Sequence, residues 1–211
     1  MSVAIRTSLP EIEGGEPKAR PLPPVERFYR FSVPQYHRMI EAGVLGENDR
    51  VELLDGWIIC KMTHNPPHDG TIQLVHEETG PHLPAGWVIR IQSAITLGKA
   101  EPEPDLAVVR GPSRRYLKRH PVPRDIGCLI EVAETSLDED RHYKGPIYAR
   151  ALLPIYWVVN IPEMQIEVYT EPRGGRKPGY ARRQDFPAAD KIPLVLDRRE
   201  VTRIPVRNML P

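Results

Sequence analysis

Residues 128–144 have the sequence CLIEVAETSLDEDRHYK, which predicts a buried strand, a polar turn and the start of a helix. Three apolar residues, Cys128–Ile130, are followed directly by Glu131. Burying a bare carboxylate is costly, so Glu131 must be paired, protonated or bound to a metal ion. Lys144 follows in the next predicted helix. The stretch therefore predicts a central strand and a candidate reactive site together.

A second short apolar strand, Leu106–Val109, is predicted after a proline and Asp105. Two carboxylates on neighbouring strand ends, with a lysine nearby, indicate a metal-dependent hydrolytic site. Mg²⁺ prefers a few carboxylates together with water and substrate oxygens. Asp105 and Glu131 are the predicted metal ligands, and Lys144 is predicted to support the nucleophile or the developing charge. Glu52 is predicted to add a ligand or to orient a metal-bound water.

The same side chains also have simpler interpretations. Asp105 after a proline is compatible with a turn residue at a strand end. Asp140 and Lys144 are spaced i,i+4, which is typical of an exposed ion pair worth about 0.2–0.5 kcal/mol. His68 and His120 can each reach a phosphate or move a proton, but a lone histidine is more often solvated or packed.

The composition is that of a soluble globular protein. The 29 basic and 28 acidic side chains leave a net charge of +1, which argues against coating nucleic acid by charge alone but permits a local basic patch. No apolar run approaches about 18 residues and the N-terminus lacks an apolar signal core, so we expect a cytoplasmic protein without a membrane span. Cys60 and Cys128 lie in apolar runs, which predicts buried thiols in a reducing compartment.

Residues 1–26 are rich in proline, glycine and charge, which predicts a disordered N-terminal arm. Residues 27–211 are predicted to form a single domain. Helices are predicted from capping boxes at Ser32-x-x-Gln35 and Ser136-x-x-Glu139, with a further helix at His68–Thr79. Asp55–Gly56 predicts a hairpin turn.

Strands are predicted at Trp87–Ser93, Asp105–Val109, Gly127–Ala133, Ile155–Asn160, Gln165–Thr170, Ile192–Leu196 and Val201–Val206. The region from Pro172 onward is otherwise rich in Arg, Gly and Pro. Strands outnumber helices and the helices flank them. The predicted fold class is therefore α/β or α+β, with a mixed central β-sheet flanked by helices.

Several segments, in this order, resemble the Uma-two family of restriction-endonuclease-like proteins, which belongs to the PD-(D/E)xK nuclease superfamily. They are RVELLDGWII, HDGTI, VIRIQSAITL, EPEPDLAVVRG, LIEVAETSLDEDRHYK and IYARALLPIYWVVN. The resemblance spans about residues 28–170. It implies a restriction-endonuclease-like core and a PD-(D/E)xK endonuclease-like domain over residues 27–211.

The resemblance also assigns roles to single residues. Pro104–Asp105 matches the PD of the signature and Glu131 matches its acidic position. The signature lysine falls at position 133, where this chain has Ala133. Lys144 resembles a migrated catalytic lysine, because family members commonly place one in the following helix. Two further positions match polar family positions beside the site: Glu52 and Gln92.

The leading hypothesis is a Mg²⁺-dependent endonuclease that hydrolyses phosphodiester bonds in DNA, with Mn²⁺ as a substitute metal. Phosphate contacts are predicted for His68 and for the basic stretch RRYLKR, with the members Arg114, Arg115, Lys118 and Arg119. Secondary candidates, in a segment predicted to be mobile, are Arg173, Arg176, Lys177, Arg182 and Arg183. Cutting both strands of a duplex with one site per chain favours a homodimer.

The alternative hypothesis is a catalytically inactive module that binds nucleic acid or a protein partner on a nuclease fold. The weak net charge and Ala133 in the usual lysine position favour it. The retention of Asp105, Glu131 and Lys144 opposes it, because a decayed site has no need of all three.

Overall fold

The computed structural model describes residues 27–63 and 65–211, so the arm predicted at residues 1–26 lies outside the described residues. The strands are β1 (Val51–Leu54), β2 (Trp57–Cys60), β3 (Trp87–Ile91), β4 (Leu106–Arg110), β5 (Ile126–Ala133), β6 (Ile155–Asn160), β7 (Gln165–Arg173), β8 (Gly179–Pro187), β9 (Lys191–Leu196) and β10 (Arg199–Pro205). The helices are α1 (Val33–Glu41), α2 (Pro66–Thr79), α3 (Leu137–Glu139) and α4 (Gly145–Arg150). A π-helical turn, Asp140–Lys144, joins α3 to α4.

The centre of the fold is a six-stranded sheet in the order β3-β4-β5-β6-β7-β8. The β5–β6 pair is parallel and the other pairs are antiparallel, so the sheet is mixed. Two hairpins, β1–β2 and β9–β10, lie outside it. The fold class predicted from the sequence, a mixed central sheet flanked by helices, is confirmed.

Side-chain alternation along β5 and β6 divides the core into two layers. Ile130 and Trp157 belong to a cluster that contains residues of α2, β9 and β10. Leu129 and Tyr156 belong to the opposite cluster, with Tyr148 of α4. Every residue of β5 is buried because both faces of the sheet are covered. Glu131 shares the face of Leu129, since side chains of a strand alternate between faces.

Several local predictions are confirmed. Ser32 accepts a hydrogen bond from the Gln35 N–H, and the Gln35 side chain returns to the Ser32 N–H, which completes the capping box of α1. Asp55 and Gly56 form the β1–β2 turn with φ of +49° and +88°. A side chain at position 56 would place its Cβ 2.8 Å from the Arg30 Cβ, so glycine is required there for space as well as for φ.

Other local predictions were wrong. Ser136 does not form a capping box, because its hydroxyl donates to Asp140 Oδ2 instead. Strand β8 was missed, and it carries Arg182 and Arg183, so these residues lie in the sheet and not in a mobile segment. Cys128 is buried as predicted, whereas Cys60 is exposed at the end of β2. No helix of the described residues has the length and apolar character needed to cross a membrane.

Candidate active site

A cleft opens where β4 begins and β5 ends. Its lining contains seven acidic side chains against two lysines, Lys61 and Lys144, and one histidine, His68. The acidic residues are Glu52, Glu103, Asp105, Glu131, Glu134, Glu139 and Asp140. This excess of negative charge favours binding of a cation and opposes the approach of a bare phosphate.

Asp105 directly precedes β4, and Glu131 lies in the antiparallel neighbour β5, so the two residues are close together. The backbone N–H of Asp105 donates to Glu131 Oε2 at 3.2 Å. Asp105 Oδ2 in turn accepts from the backbone N–H of Val132 at 2.9 Å. Both residues are buried, with exposed fractions of 7% and 1%. The ladder that pairs Leu106 with Ile130 therefore brings the two carboxylates into one cleft.

Lys144 reaches the cleft from the π-helical turn. Its Nζ lies 3.2 Å from Glu131 Oε1, 3.7 Å from Asp140 Oδ1 and 3.9 Å from Glu52 Oε1. The interpretation of Asp140 and Lys144 as an exposed pair is wrong, because Asp140 is 1% exposed and the lysine side chain 14%. The buried carboxylates and the lysine form one cluster.

The turn that carries Lys144 departs from an α-helix because of Asp140 and Gly145. The Gly145 N–H donates to the Asp140 carbonyl five residues earlier, which is the π-helical bond. A Cβ at position 145 would lie 3.2 Å from that carbonyl oxygen, so glycine permits the close approach. The buried Tyr156 hydroxyl donates to the same carbonyl at 3.1 Å. Turns of this kind are frequent at functional sites.

Further side chains hold the carboxylates in place. The hydroxyl of Tyr148 donates to Glu131 Oε1 at 2.6 Å, and Glu52 Oε2 accepts from the Glu103 N–H at 2.9 Å. Sequence reasoning missed Tyr148 and the burial of Asp140. The pair Ser136 and Asp140, spaced i,i+4, was the available signal for Asp140, whereas nothing in IYARALLP distinguishes Tyr148 from a core residue.

His68 lies inside the cleft, on α2. Its Nε2 is 3.2 Å from Asp105 Oδ2, and its Nδ1 is 3.4 Å from Asp69. Burial alone would lower the pKa of His68, but the hydrogen bond and charge of Asp105 raise that pKa above its usual value. Burial would raise the pKa of Asp105, but His68, the Val132 N–H and Lys144 hold it below its usual range.

The pKa of Glu131 moves in the opposite direction. Burial raises it to about 8, Lys144 opposes that rise, and Asp105 and Asp140 add to it. Burial likewise raises the pKa of Asp140 to about 6, against the pull of Lys144. One lysine is thus insufficient counter-charge for the buried carboxylates. Burial lowers the pKa of Lys144, but the surrounding carboxylates raise it well above its usual value, so this amine stays charged.

Some predicted residues are not brought into the cleft. The Gln92 side chain is exposed and is not part of the lining, although its backbone N–H donates to the Asp105 carbonyl at 2.9 Å. The basic stretch at residues 114–119 follows the far end of β4, so the strand separates it from Asp105. Arg115 and Arg119 form ion pairs there with the buried Asp125, at 3.3 and 2.7 Å. Arg114 and Lys118 are exposed in the same segment.

The donor set fits a hard divalent cation. Asp105, Glu131 and Glu52 offer carboxylate oxygens, which are the ligands that Mg²⁺ prefers. Burial raises the pKa of Glu131 to about 8 against the opposing effect of Lys144, so its ionised form is only partly compensated, and a cation would supply the remaining positive charge.

Residues 33–204 match the family Uma2, described as "Putative restriction endonuclease". This chain belongs to the Uma2 family. The match covers most of the chain and includes every residue of the carboxylate and lysine cluster. The family resemblance seen in the sequence is confirmed, and it places the chain among restriction-endonuclease-like proteins.

Comparison with solved structures supports the fold of this Uma2 chain. A matching crystal structure is that of a putative nuclease belonging to DUF820 from Anabaena variabilis ATCC 29413. The TM-score is 0.62 at 13% sequence identity, and the match covers 85% of this chain and 97% of that one. No curated protein matches the chain by sequence. An identity this low shows a shared fold, so the chemistry must be argued from the site.

Proposed function

We propose that this Uma2 protein is a Mg²⁺-dependent endonuclease that hydrolyses phosphodiester bonds in DNA. The observation that carries the proposal is the convergence of Asp105, Glu131 and Lys144 in one acidic cleft. Membership of a family described as putative restriction endonucleases supports this reaction class, and the residues of the cleft are of the types that such a reaction uses.

Asp105 and Glu131 would hold the metal ion, and Mn²⁺ would substitute for Mg²⁺. A bound ion of this kind neutralises phosphate charge and lowers the pKa of an attacking water. Glu52 and Glu131 both lie near the Lys144 ammonium, at 3.9 and 3.2 Å. Glu52 would accept a proton or a hydrogen bond from a water in the cleft. The acidic lining would repel the phosphates of a nucleic acid until a bound cation offsets its negative charge.

Lys144 would act on the phosphate that is cut. Its charged Nζ lies at the cleft wall, 3.2 Å from Glu131, where it can donate to a phosphate oxygen as negative charge develops. Ala133, in the usual lysine position, is fully buried in the apolar cluster beneath the strand. The helix therefore supplies the amine that the strand lacks.

His68 and Tyr148 would serve as positioning residues. The His68 imidazole holds Asp105 Oδ2, and the Tyr148 hydroxyl holds Glu131 Oε1. Each contact fixes one oxygen of a carboxylate that would bind the metal ion. Polar groups that orient metal ligands in this way typically contribute 10–100-fold to metal affinity or activity.

The described part of the chain forms one such cleft, so cutting both strands of a duplex would use a second copy of the chain. The basic residues at 114–119 remain candidate contacts for DNA phosphates outside the cleft.

The test is single-turnover cleavage of supercoiled plasmid DNA by wild type and by Asp105→Asn, with Mg²⁺, Mn²⁺ or EDTA. We expect nicking or linearisation with either metal, none with EDTA, and a loss of about 10²-fold or more in the variant. Asp138→Asn is the matched control, because the Asp138 side chain is 96% exposed and is not part of the cleft lining. Absence of cleavage by wild type would refute the proposal. Metal-dependent thermal stabilisation without cleavage would then support a binding module.

A further inference from the structure

A second group of metal-binding side chains lies outside the acidic cleft. It consists of His37 on α1, Glu101 in the connection between β3 and β4, and His120 in the connection between β4 and β5. One ligand atom of each lies within 4.8 Å of the others. Three segments that are distant in sequence thus bring two imidazoles and one carboxylate to one point.

Glu101 is the fixed member of this group. It is 3% exposed, its Oε2 accepts from the Thr96 hydroxyl at 2.8 Å, and its backbone N–H donates to the Leu53 carbonyl at 2.7 Å. Its Oε1 faces the two imidazoles, 2.6 Å from His37 Nε2 and 4.0 Å from His120 Nε2. Among the described residues the ion-pair partners of Glu101 are these two imidazoles, so no lysine or arginine balances this buried carboxylate.

The imidazole of His120 supplies a separate observation. Its Nδ1 is buried and has no hydrogen-bond partner among the described residues. A buried polar atom without a partner carries a desolvation cost. No hydrogen bond of Nδ1 holds this ring in its orientation, so rotation of the side chain can bring a nitrogen into coordinating distance of an ion beside Glu101.

We propose that His37, Glu101 and His120 bind a Zn²⁺ ion. Zn²⁺ takes imidazole nitrogens and carboxylate oxygens at about 2.0–2.2 Å, so tetrahedral ligand atoms lie about 3.3 Å apart. The observed separations of 2.6 and 4.0 Å lie on either side of that value, so small side-chain rotations suffice. The Thr96 hydroxyl orients the carboxylate from behind, as polar groups around metal ligands commonly do.

The residue types select the metal. Mg²⁺ takes oxygen ligands, whereas imidazole suits Zn²⁺ and its neighbours in the transition series. The two histidine side chains are 41% and 39% exposed, so an ion can enter from solvent and keep a water as its fourth ligand. The chain would then hold two different cations, Mg²⁺ in the acidic cleft and Zn²⁺ at this group.

The site links three parts of the fold. An ion there would join α1 to the connection that carries His120, and Glu101 would join both to β1 through Leu53. Leu53 is adjacent to Glu52 of the cleft. A bound zinc ion would therefore restrain the β1–β2 hairpin, which carries Glu52 of the cleft. The proposed binding of zinc does not depend on whether the protein cleaves DNA.

The test is calorimetric titration of the metal-free full chain with ZnCl₂, in an Asp105→Asn background that weakens binding at the cleft. We expect one tight equivalent of Zn²⁺ and a rise in melting temperature. The double variant His37→Asn/His120→Asn should lose at least 10²-fold in affinity and the melting-temperature rise. His142→Asn is the control, since that histidine is exposed and pairs with Asp138.

The proposal would be overturned if the double variant bound zinc as tightly as the protein that keeps both histidines, or if the protein that keeps both histidines bound no zinc. X-ray absorption at the zinc edge on the Asp105→Asn protein keeps the test decisive even if the double variant does not fold. Two imidazole ligands at about 2.0 Å are expected, and a zinc environment without histidine would be incompatible with the site.

Discussion

Replacing Lys144 by methionine tests whether the buried cluster is one electrostatic unit. The substitution keeps the apolar stem and removes the charge that faces Glu131, Asp140 and Glu52 at 3.2, 3.7 and 3.9 Å. Removing one partner of a buried ion pair costs about 3–5 kcal/mol, because it leaves an uncompensated buried charge. We expect about 3 kcal/mol in metal-free protein, the lower end of that range, since the lysine side chain is 14% exposed and Glu131 can take up a proton.

A loss of that size would lower the melting temperature by about 6–12 °C in a chain of this length. The assay is urea unfolding of wild type and Lys144→Met with EDTA, repeated with Mg²⁺ and at pH 6 and pH 8. The loss should be smaller at pH 6, where the carboxyl groups protonate more readily, and smaller with Mg²⁺. Lys118→Met is the matched control, because Lys118 is exposed and its replacement should cost at most about 0.5 kcal/mol.

An exposed i,i+4 pair predicts a much smaller effect, about 0.2–0.5 kcal/mol. If Lys144→Met unfolds within that margin of wild type at pH 8 in EDTA, the three carboxylates do not depend on the lysine. The electrostatic account of the cleft would then be refuted.

The remaining predictions concern pH, ligand positioning and the empty lysine position. Folding raises the pKa of Glu131 from 4.5 to about 8, so between these pH values the folded state binds more protons than the unfolded state. The resulting stabilisation of the folded state is fully present below about pH 4.5 and is lost as the pH rises toward 8. Metal-free protein should therefore melt at lower temperature at pH 8 than at pH 6, and Glu131→Gln should flatten that slope in calorimetric scans. Tyr148→Phe should weaken Mn²⁺ binding by about 10-fold in titration calorimetry, because Glu131 Oε1 loses its 2.6 Å hydrogen bond. Ala133→Lys in a Lys144→Ala background should fail to restore cleavage and should lower the melting temperature, because position 133 is fully buried; recovered cleavage would contradict this.

The central strands of the sheet were predictable because their apolar residues are visible in the sequence itself. Gly127–Ala133 is apolar except for Glu131, and Ile155–Asn160 is apolar up to its last residue, which is typical of strands covered on both faces. Strand β8 escaped prediction because six of its nine residues are exposed, so it shows no apolar alternation. Strand β8 forms because it pairs with β7, and such pairing depends on the folded sheet and not on the local sequence alone.

The candidate site was predictable to the extent that single buried charges stand out in the sequence. Glu131 interrupts an apolar run, the predicted strand ends and the next helix placed Asp105 and Lys144 near it, and the family resemblance assigned the same residues to the site. His68 was underestimated because its contact with Asp105 depends on how α2 packs on the sheet. Asp140 was misjudged because its spacing from Lys144 is the same in a surface pair and in the buried π-helical turn observed here.

The measurement that tests the central claim most directly is anomalous diffraction from crystals soaked in Mn²⁺. The account predicts a peak in the acidic cleft with carboxylate oxygens of Asp105 and Glu131 in its coordination sphere. It also predicts that Asp105→Asn removes this peak under the same soak. A cleft without manganese at saturating concentration, or a peak there that contacts neither carboxylate, would contradict the claim that these strand ends hold the metal of a nuclease.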